Sequence, residues 1–276
     1  MSTAGNNLKN VSSHFLFGEN WKQFSGSITE SNVQAAVAGL ARVLPRDLLA
    51  GRDVLDIGSG SGLSAVAALR LGAKSVTAVD IDADSVATTQ AVLARFAPGA
   101  PVSVRLLSVF DLEQAGLRAF DIVYSWGVLH HSGDVGGALS TAARTVKPGG
   151  FLVLALYRRT PIDFLWVGEK RLYAHGPAAL KAVIRGAFKS AYLLGLSAMG
   201  RSPLRYLREY NERGMSWSHD VHDWLGGYPY EPLDSHEVVD RLAAIGFVPD
   251  LVIERPLRSF GLFGTPCNEY RFRRSV

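Results

Sequence analysis

The sequence is short of cysteine, of clustered charge and of long apolar runs, and each shortage closes off a class of function. A single cysteine, Cys267, excludes an internal disulfide and a Cys-rich zinc centre. The chain therefore suits a reducing compartment, and the cytoplasm is the expected location. Only 20% of the 276 residues are charged, the net charge is +4, and the basic residues are scattered apart from Arg271, Arg273 and Arg274. No nucleic-acid partner is implied, and the three terminal arginines read as a solvated strand. Residues 1–10 are polar and lack the apolar core of a secretion signal, so export by that route is not expected. The most apolar stretch, residues 191–199, is interrupted by Gly195 and falls well below the roughly 20 residues that a membrane span requires. A helix lying on protein is expected there, with no stable membrane insertion. Internal repeats and low-complexity tracts are also missing.

What the chain does have is a hydrophobic content of 47%, enough to bury a full core. Val33, Ala36, Val37, Leu40 and Val43 recur at helical spacing until Pro45 ends the run, which predicts a helix ahead of the core. Short β-rich runs follow at 54–57, 75–80, 102–106, 120–125 and 151–157, separated by helical stretches at 63–71, 83–96 and 136–146. That alternation predicts a parallel sheet with helices on both faces. From Arg158 to Pro232 no strand is convincing, and helical stretches at 164–173, 178–196 and 203–213 predict an insertion after the fifth strand. A helix over 235–245, with Ser235 as N-cap and Glu237 in its first turn, then precedes strands at 248–255 and 269–274. The predicted fold is α/β: a doubly wound, Rossmann-like, seven-stranded sheet ending in an antiparallel hairpin. Its expected parts are an N-terminal lid and helix (1–50), a ligand-binding core (51–157), a helical cap (158–232) and a completion of the sheet (233–276).

The strongest motif is Val54-Leu55-Asp56-Ile57-Gly58-Ser59-Gly60-Ser61-Gly62, an apolar strand running into a glycine-rich turn before a helix. Glycines let the main chain turn sharply and approach a ligand where side chains would collide. Asp80 closes the next strand, where a carboxylate can accept from both hydroxyls of a ribose. A dinucleotide would also satisfy this much. Asp56, however, precedes the glycines at a place that repels a pyrophosphate and attracts an ammonium group, so the ligand should carry a cation.

This combination resembles the class I S-adenosylmethionine-dependent methyltransferases over residues 53–157 and 235–276. Further matching elements are Ser108-Val109-Phe110-Asp111, Phe120-Asp121-Ile122-Val123-Tyr124-Ser125, Trp126-Gly127-Val128-Leu129-His130-His131, and Val146-Lys147-Pro148-Gly149-Gly150 as the turn before the fifth strand. The resemblance implies S-adenosylmethionine as cofactor. Its expected contacts are Asp56, Gly58, Ser59, Gly60, Gly62, Asp80, Ile81, Phe110, Ser125 and Trp126, with Asp111 resembling the residue that reads the adenine amino group. Phe17 and Trp21, in an aromatic segment at 15–24, are candidates for a lid over the cofactor's cationic end, an ordinary hydrophobic staple being the alternative.

Ligands of open α/β sheets bind beyond the carboxyl ends of the strands, which makes His130 and His131 candidates for chemistry. A denser segment, 213–231, holds His219, Asp220, His222, Asp223, Trp217, Trp224, Tyr228 and Tyr230, a mixture suited to shaping a substrate pocket and moving protons. The expected base is His222 oriented by Asp223, with His131 second; His219 and Tyr228 complete the catalytic candidates. A metal on His219, His222 and Asp223 is possible by spacing but is not expected, because the ligand set is incomplete. Residues 6–24, 213–231 and 264–269 resemble a bacterial subgroup that suggests small-molecule or glycan tailoring, although Phe263 and Thr265-Pro266 depart from its glycine-rich form. The expected activity is methyl transfer to a small acceptor. Alternatives are cyclisation of the cofactor's own side chain with release of methylthioadenosine, or binding without turnover.

Overall fold

A computed structural model describes residues 14, 15, 17–212, 217–257 and 259–276. Residues 1–13 and Leu16 of the N-terminal segment, and 213–216 of the aromatic segment, lie outside the described residues.

The chain order is α1 (Gly18–Ser25), α2 (Glu30–Val43), a single turn α3 (Arg46–Leu49), β1 (Asp53–Ile57), α4 (Leu63–Arg70), β2 (Ser75–Asp80), α5 (Ala83–Phe96), β3 (Val102–Leu106), β4 (Phe120–Trp126), α6 (Val135–Arg144) and β5 (Val146–Tyr157). Four helices follow, α7 (Asp163–His175), α8 (Ala178–Ala198), α9 (Pro203–Glu212) and α10 (Trp217–Gly226), then α11 (Ser235–Ala243), β6 (Phe247–Ile253) and β7 (Cys267–Arg274). The seven strands lie in the order β3-β2-β1-β4-β5-β7-β6, the first five parallel and β7 antiparallel to both neighbours. The α/β fold expected from the alternation is therefore present.

Burial explains why these segments take these places. The inner strands β1, β4 and β5 are buried on both faces, as central strands with helices above and below must be, and read as nearly continuous apolar runs. One core, with Leu55, Val123, Leu139, Leu154 and Phe272, packs under α6 and α11; the other, with Val33, Val54, Val66, Ile122 and Val153, packs under α2 and α4. A third cluster, Phe15, Trp166, Tyr173, Val221, Leu225 and Tyr230, joins α7 and α10 to the segment preceding α1. The strand order reverses between β1 and β4, and the crevice above that point is where the site forms. The chain leaves the sheet at Arg158 and returns at Leu233, two residues joined by a parallel bridge.

Several local expectations are corrected. Val146–Gly150 is not a turn before β5 but its first part: Val146 already pairs with Phe120, and a register shift before Ile122 absorbs the left-handed Gly149 (φ 74°). Ser235 is not the N-cap of α11, a position held by Asp234; the Ser235 hydroxyl instead bonds the Tyr270 hydroxyl at 3.1 Å and accepts from Asn268 Nδ2 at 2.9 Å. Asp121 pins the sheet, accepting from the Asp53 N–H (2.9 Å) and Lys147 Nζ (3.0 Å). Two of the three terminal arginines are engaged, Arg271 pairing with Asp250 and Arg274 donating to the Val146 carbonyl, while Arg273 is exposed as expected. The stretch 191–199 rests on protein as expected, through buried Leu196 and the Tyr192–Phe263 contact, while presenting Ala191, Leu194 and Met199 outward. Among the described residues, no helix is long and apolar enough to cross a membrane.

Candidate active site

After β1 the chain passes through Gly58, Gly60 and Gly62, all with positive φ (77°, 50° and 77°), a conformation that side chains disfavour. Each glycine is also boxed in. A Cβ on Gly58 would lie 2.4 Å from a Val128 methyl, and one on Gly62 would lie 2.9 Å from Thr89 Cα of α5. Gly60 lies under the Trp21 indole, whose Nε1 would be 3.0 Å from an added Cβ. Thr89 donates to the Gly60 carbonyl at 3.1 Å and bonds the Ser59 hydroxyl at 3.0 Å.

Three aspartates stand around this turn. Asp80 accepts from the Gly60 N–H (2.9 Å) and the Asp82 N–H (3.0 Å), and burial still pushes its carboxyl up to about 6. Asp82 caps α5 through the Asp84 and Ser85 N–H groups, and its other oxygen accepts the Gly18 N–H at 2.9 Å, which tethers α1. Asp56 is buried with one oxygen, Oδ2, lacking a partner; desolvation, and then the charge of Asp80, push it up to about 7.

These groups form one end of a cavity of about 460 Å³. Its walls include Phe110 and Ser108 from the segment after β3, Trp126 at the end of β4, Val128 and His131 from the segment after it, Phe15, Phe17 and Trp21 from the N-terminal segment, Tyr157 from β5 and Asp223 from α10. Four aspartates, Asp56, Asp80, Asp82 and Asp223, face it, while the described lining residues include no Lys or Arg. A pyrophosphate would meet four carboxyl groups and find no Lys or Arg among the described lining residues. A sugar with a cationic group finds acceptors for its hydroxyls and a carboxylate oxygen waiting for a donor, so these residues fit S-adenosylmethionine.

The far end of the cavity differs from what residue spacing suggested. Asp223 faces the cavity and accepts from Asn20 Nδ2 at 2.8 Å; burial pushes it up to about 8. His222 points elsewhere. Its Nδ1 accepts from the Tyr173 hydroxyl at 2.6 Å, Arg185 approaches at 3.4 Å, and the Phe15 ring stands edge-on against it, centroids 5.1 Å apart. Burial and Arg185 lower it to about 4, so the ring is neutral. The expected orientation of His222 by Asp223 is therefore absent, because successive helical residues project about 100° apart. His131 lines the cavity, with Nδ1 donating to the Pro229 carbonyl at 2.6 Å, and burial lowers it to about 3. It too is neutral. His130, wholly buried, accepts from the Tyr157 N–H through Nδ1 at 3.3 Å.

Of the other expected residues, Phe17, Trp21, Asp56, Gly58, Ser59, Gly60, Asp80, Ile81, Phe110 and Trp126 line the cavity. Six do not. Gly62 serves helix packing; Ser125 is buried and donates to the Ile57 carbonyl; Asp111 is exposed outside the lining. His219 is near Phe24, Tyr228 stacks edge-on with His175, and His222 is turned to Tyr173. Among the described residues no group of His, Cys, Asp or Glu could hold a metal ion. Residue spacing did not single out Asn20 or Tyr157, which reach the site through tertiary packing, nor Asp82, which stands two residues after Asp80 as the cap of α5.

Comparison with known proteins agrees with the fold. Residues 55–154, about a third of the chain, match the model of a methyltransferase domain. Over 150 residues the chain is 36% identical to a ubiquinone biosynthesis O-methyltransferase of Xanthomonas oryzae pv. oryzae, covering 52% of this chain and 62% of that protein. Over 106 residues it is 44% identical to a tRNA U34 carboxymethyltransferase of Methylococcus capsulatus, covering 38% of this chain and 32% of that protein. The chain thus spans less than two thirds of the curated relatives it matches. Magnesium protoporphyrin IX methyltransferase from Synechocystis PCC 6803, solved with bound S-adenosylhomocysteine (SAH), shares the fold: TM-score 0.55, 15% identity, covering 93% of this chain and 94% of that one.

Proposed function

We propose that this chain, whose core is a class I methyltransferase domain, transfers the methyl group of S-adenosylmethionine to a small-molecule acceptor. The observation that carries the reading is the charge of the cavity: four aspartates, one with an unpartnered buried oxygen, and no Lys or Arg among the described lining residues. Bound there, the donor supplies a methyl group on a cationic sulfur, which departs as a neutral thioether.

The chain's own residues do the rest. Asp80 takes the ribose hydroxyls and Asp56 the ammonium group, whose arrival restores the carboxylate charge that burial suppresses. Trp21 and Phe17 close over the glycine turn, exclude water and offer aromatic faces to the cation. Asp223 holds the acceptor and removes its proton as the new bond to carbon forms. Its carboxyl, raised to about 8, is basic enough for that task. His131 and Tyr157 flank the acceptor. A volume of about 460 Å³ shared between donor and acceptor favours a small acceptor.

The test is to incubate purified protein with methyl-labelled S-adenosylmethionine, alone, with a metabolite extract and with bulk tRNA, and to identify each product by mass. Label in a small molecule, with SAH formed in equal amount, is the expected result. Methylthioadenosine from the donor alone would replace methyl transfer with cyclisation, label in tRNA would overturn the acceptor class, and binding without consumption would leave a non-catalytic receptor.

A further inference from the structure

The cap helices are inverted in polarity. On α7 the lysine points inward: Lys170 is fully buried, donates to the Trp224 carbonyl and lies 3.7 Å from the centre of the Trp224 ring. The water-facing side of the same helix carries Phe164, Leu165 and Leu172, which are 71%, 56% and 53% exposed. The next helix repeats the arrangement. The α8 cations Lys181, Arg185 and Lys189 are half-buried, with Arg185 donating to Tyr173 and Lys189 to Ser218. Every fully exposed residue of α8 is uncharged, Val183 and Leu194 among them. A loop continues this face: Phe260 and Leu262 are 79% and 57% exposed, and Gly261 between them is fixed to α7 by a 2.9 Å bond from Trp166 Nε1. Phe260 is held at φ 53°, a left-handed conformation unfavourable for an aromatic residue.

A helix on a water-facing surface ordinarily shows the opposite pattern, and exposed apolar surface of this extent marks a contact. Charge identifies the partner. Residues 158–212 contain ten Lys and Arg against four Asp and Glu, a net +6 in a chain whose total is +4. Arg171 of α7, and Arg201, Arg205 and Arg208 at or just before α9, are exposed. A second copy would bring +6 against +6. Nucleic acid would call for cations on the face itself, whereas the exposed residues of α8 are uncharged and its cations are half-buried. An anionic lipid surface satisfies both features, taking apolar side chains into the acyl boundary and arginines at the phosphates.

We propose that the outer faces of α7 and α8, with the loop carrying Phe260 and Leu262, dock in the plane of an anionic membrane surface. The contact is interfacial, consistent with the absence, among the described residues, of a helix able to span. It stands independently of the methyl-transfer reading.

The test is flotation of the full chain with vesicles of phosphatidylcholine alone or with about 30% phosphatidylglycerol. The protein should float with the anionic vesicles only and be released by salt. F164Q combined with L172Q, and separately V183E combined with L194E, should each weaken partitioning by about tenfold or more, with melting temperature and S-adenosylmethionine affinity unchanged. Three results would overturn the proposal: no preference for anionic vesicles, flotation indifferent to both variant pairs, or a wild-type dimer or tRNA complex that either pair dissolves.

Discussion

Replacing Asp56 with Asn should make the empty protein more stable while weakening its binding of S-adenosylmethionine. The carboxyl is 3% exposed, has one oxygen without a partner, and is raised from 3.8 to about 7. For an acid whose pKa is higher folded than unfolded, the folded state holds the proton more tightly, so stability falls as pH climbs between those values. A rise of about 3 units, at 1.36 kcal/mol each, sets a ceiling of about 4 kcal/mol on the cost of this group above pH 7. Asn carries no such penalty. Thermal melts between about pH 5 and pH 8 should show the variant's advantage growing with pH and levelling off above about 7, at several degrees for a chain of this size. Calorimetry should show affinity for S-adenosylmethionine lower by about tenfold or more, since the cation loses its charged partner. An advantage that is absent, or that shrinks as pH rises, would mean that Asp56 is not a desolvated carboxylate, and the electrostatic argument for a cationic ligand would go with it.

Asp223→Asn should lower turnover by about 10²- to 10⁴-fold with donor affinity little changed, whereas wild-type turnover rises with pH through about 8, because a base works only when deprotonated. A rate independent of both pH and this residue would remove Asp223 from the chemistry. Asn20→Ala should move the wild-type pH midpoint upward, because the bond Asn20 donates favours the ionised carboxylate; an unmoved midpoint would make Asn20 a packing residue only. His222→Ala should cost about 1–3 kcal/mol in chemical denaturation, since the Tyr173 hydroxyl is left without its acceptor, and should change kcat by less than about threefold. A hundredfold loss of rate at unchanged stability would return His222 to the role of base.

The half of the site that holds the donor was legible because its determinants are local. A strand, three glycines and an acid on the following strand determine one another's positions over fewer than thirty residues, and Gly58, Gly60 and Asp80 meet as their spacing implies. The half that would hold an acceptor depends on contacts between distant residues. Asn20 reaches Asp223 across 203 residues, and Phe15 comes between His222 and the cavity wall from 207 positions away. Residue composition flagged the segment around Asp223 but could not say which of two neighbours on one helix faces inward. Ser125 and Asp111 mislead for a related reason: both belong to recognisable motifs, yet one spends its hydroxyl on the Ile57 carbonyl and the other projects into solvent. The inversion of α7 was also invisible, since Lys170 and Leu172 differ by two positions and only packing decides which is buried.

The N-terminal segment ties both ends of the cavity together. The Phe15 N–H donates to the Tyr228 carbonyl at 3.0 Å, Gly18 to Asp82, and Asn20 to Asp223, while Trp21 covers Gly60. Two of these ties end on aspartates that face the cavity, one at each end. A displacement of α1 would break the bonds to Asp82 and to Asp223 together, because both are made from the same short segment. The bond from Asn20 favours the ionised form of Asp223 against the burial that raises it, so the helix that covers the glycine turn also tunes the proposed base. In a cavity lined with unbalanced carboxylates, closing without a cation inside would desolvate negative charge against negative charge. A bound cation would remove that penalty.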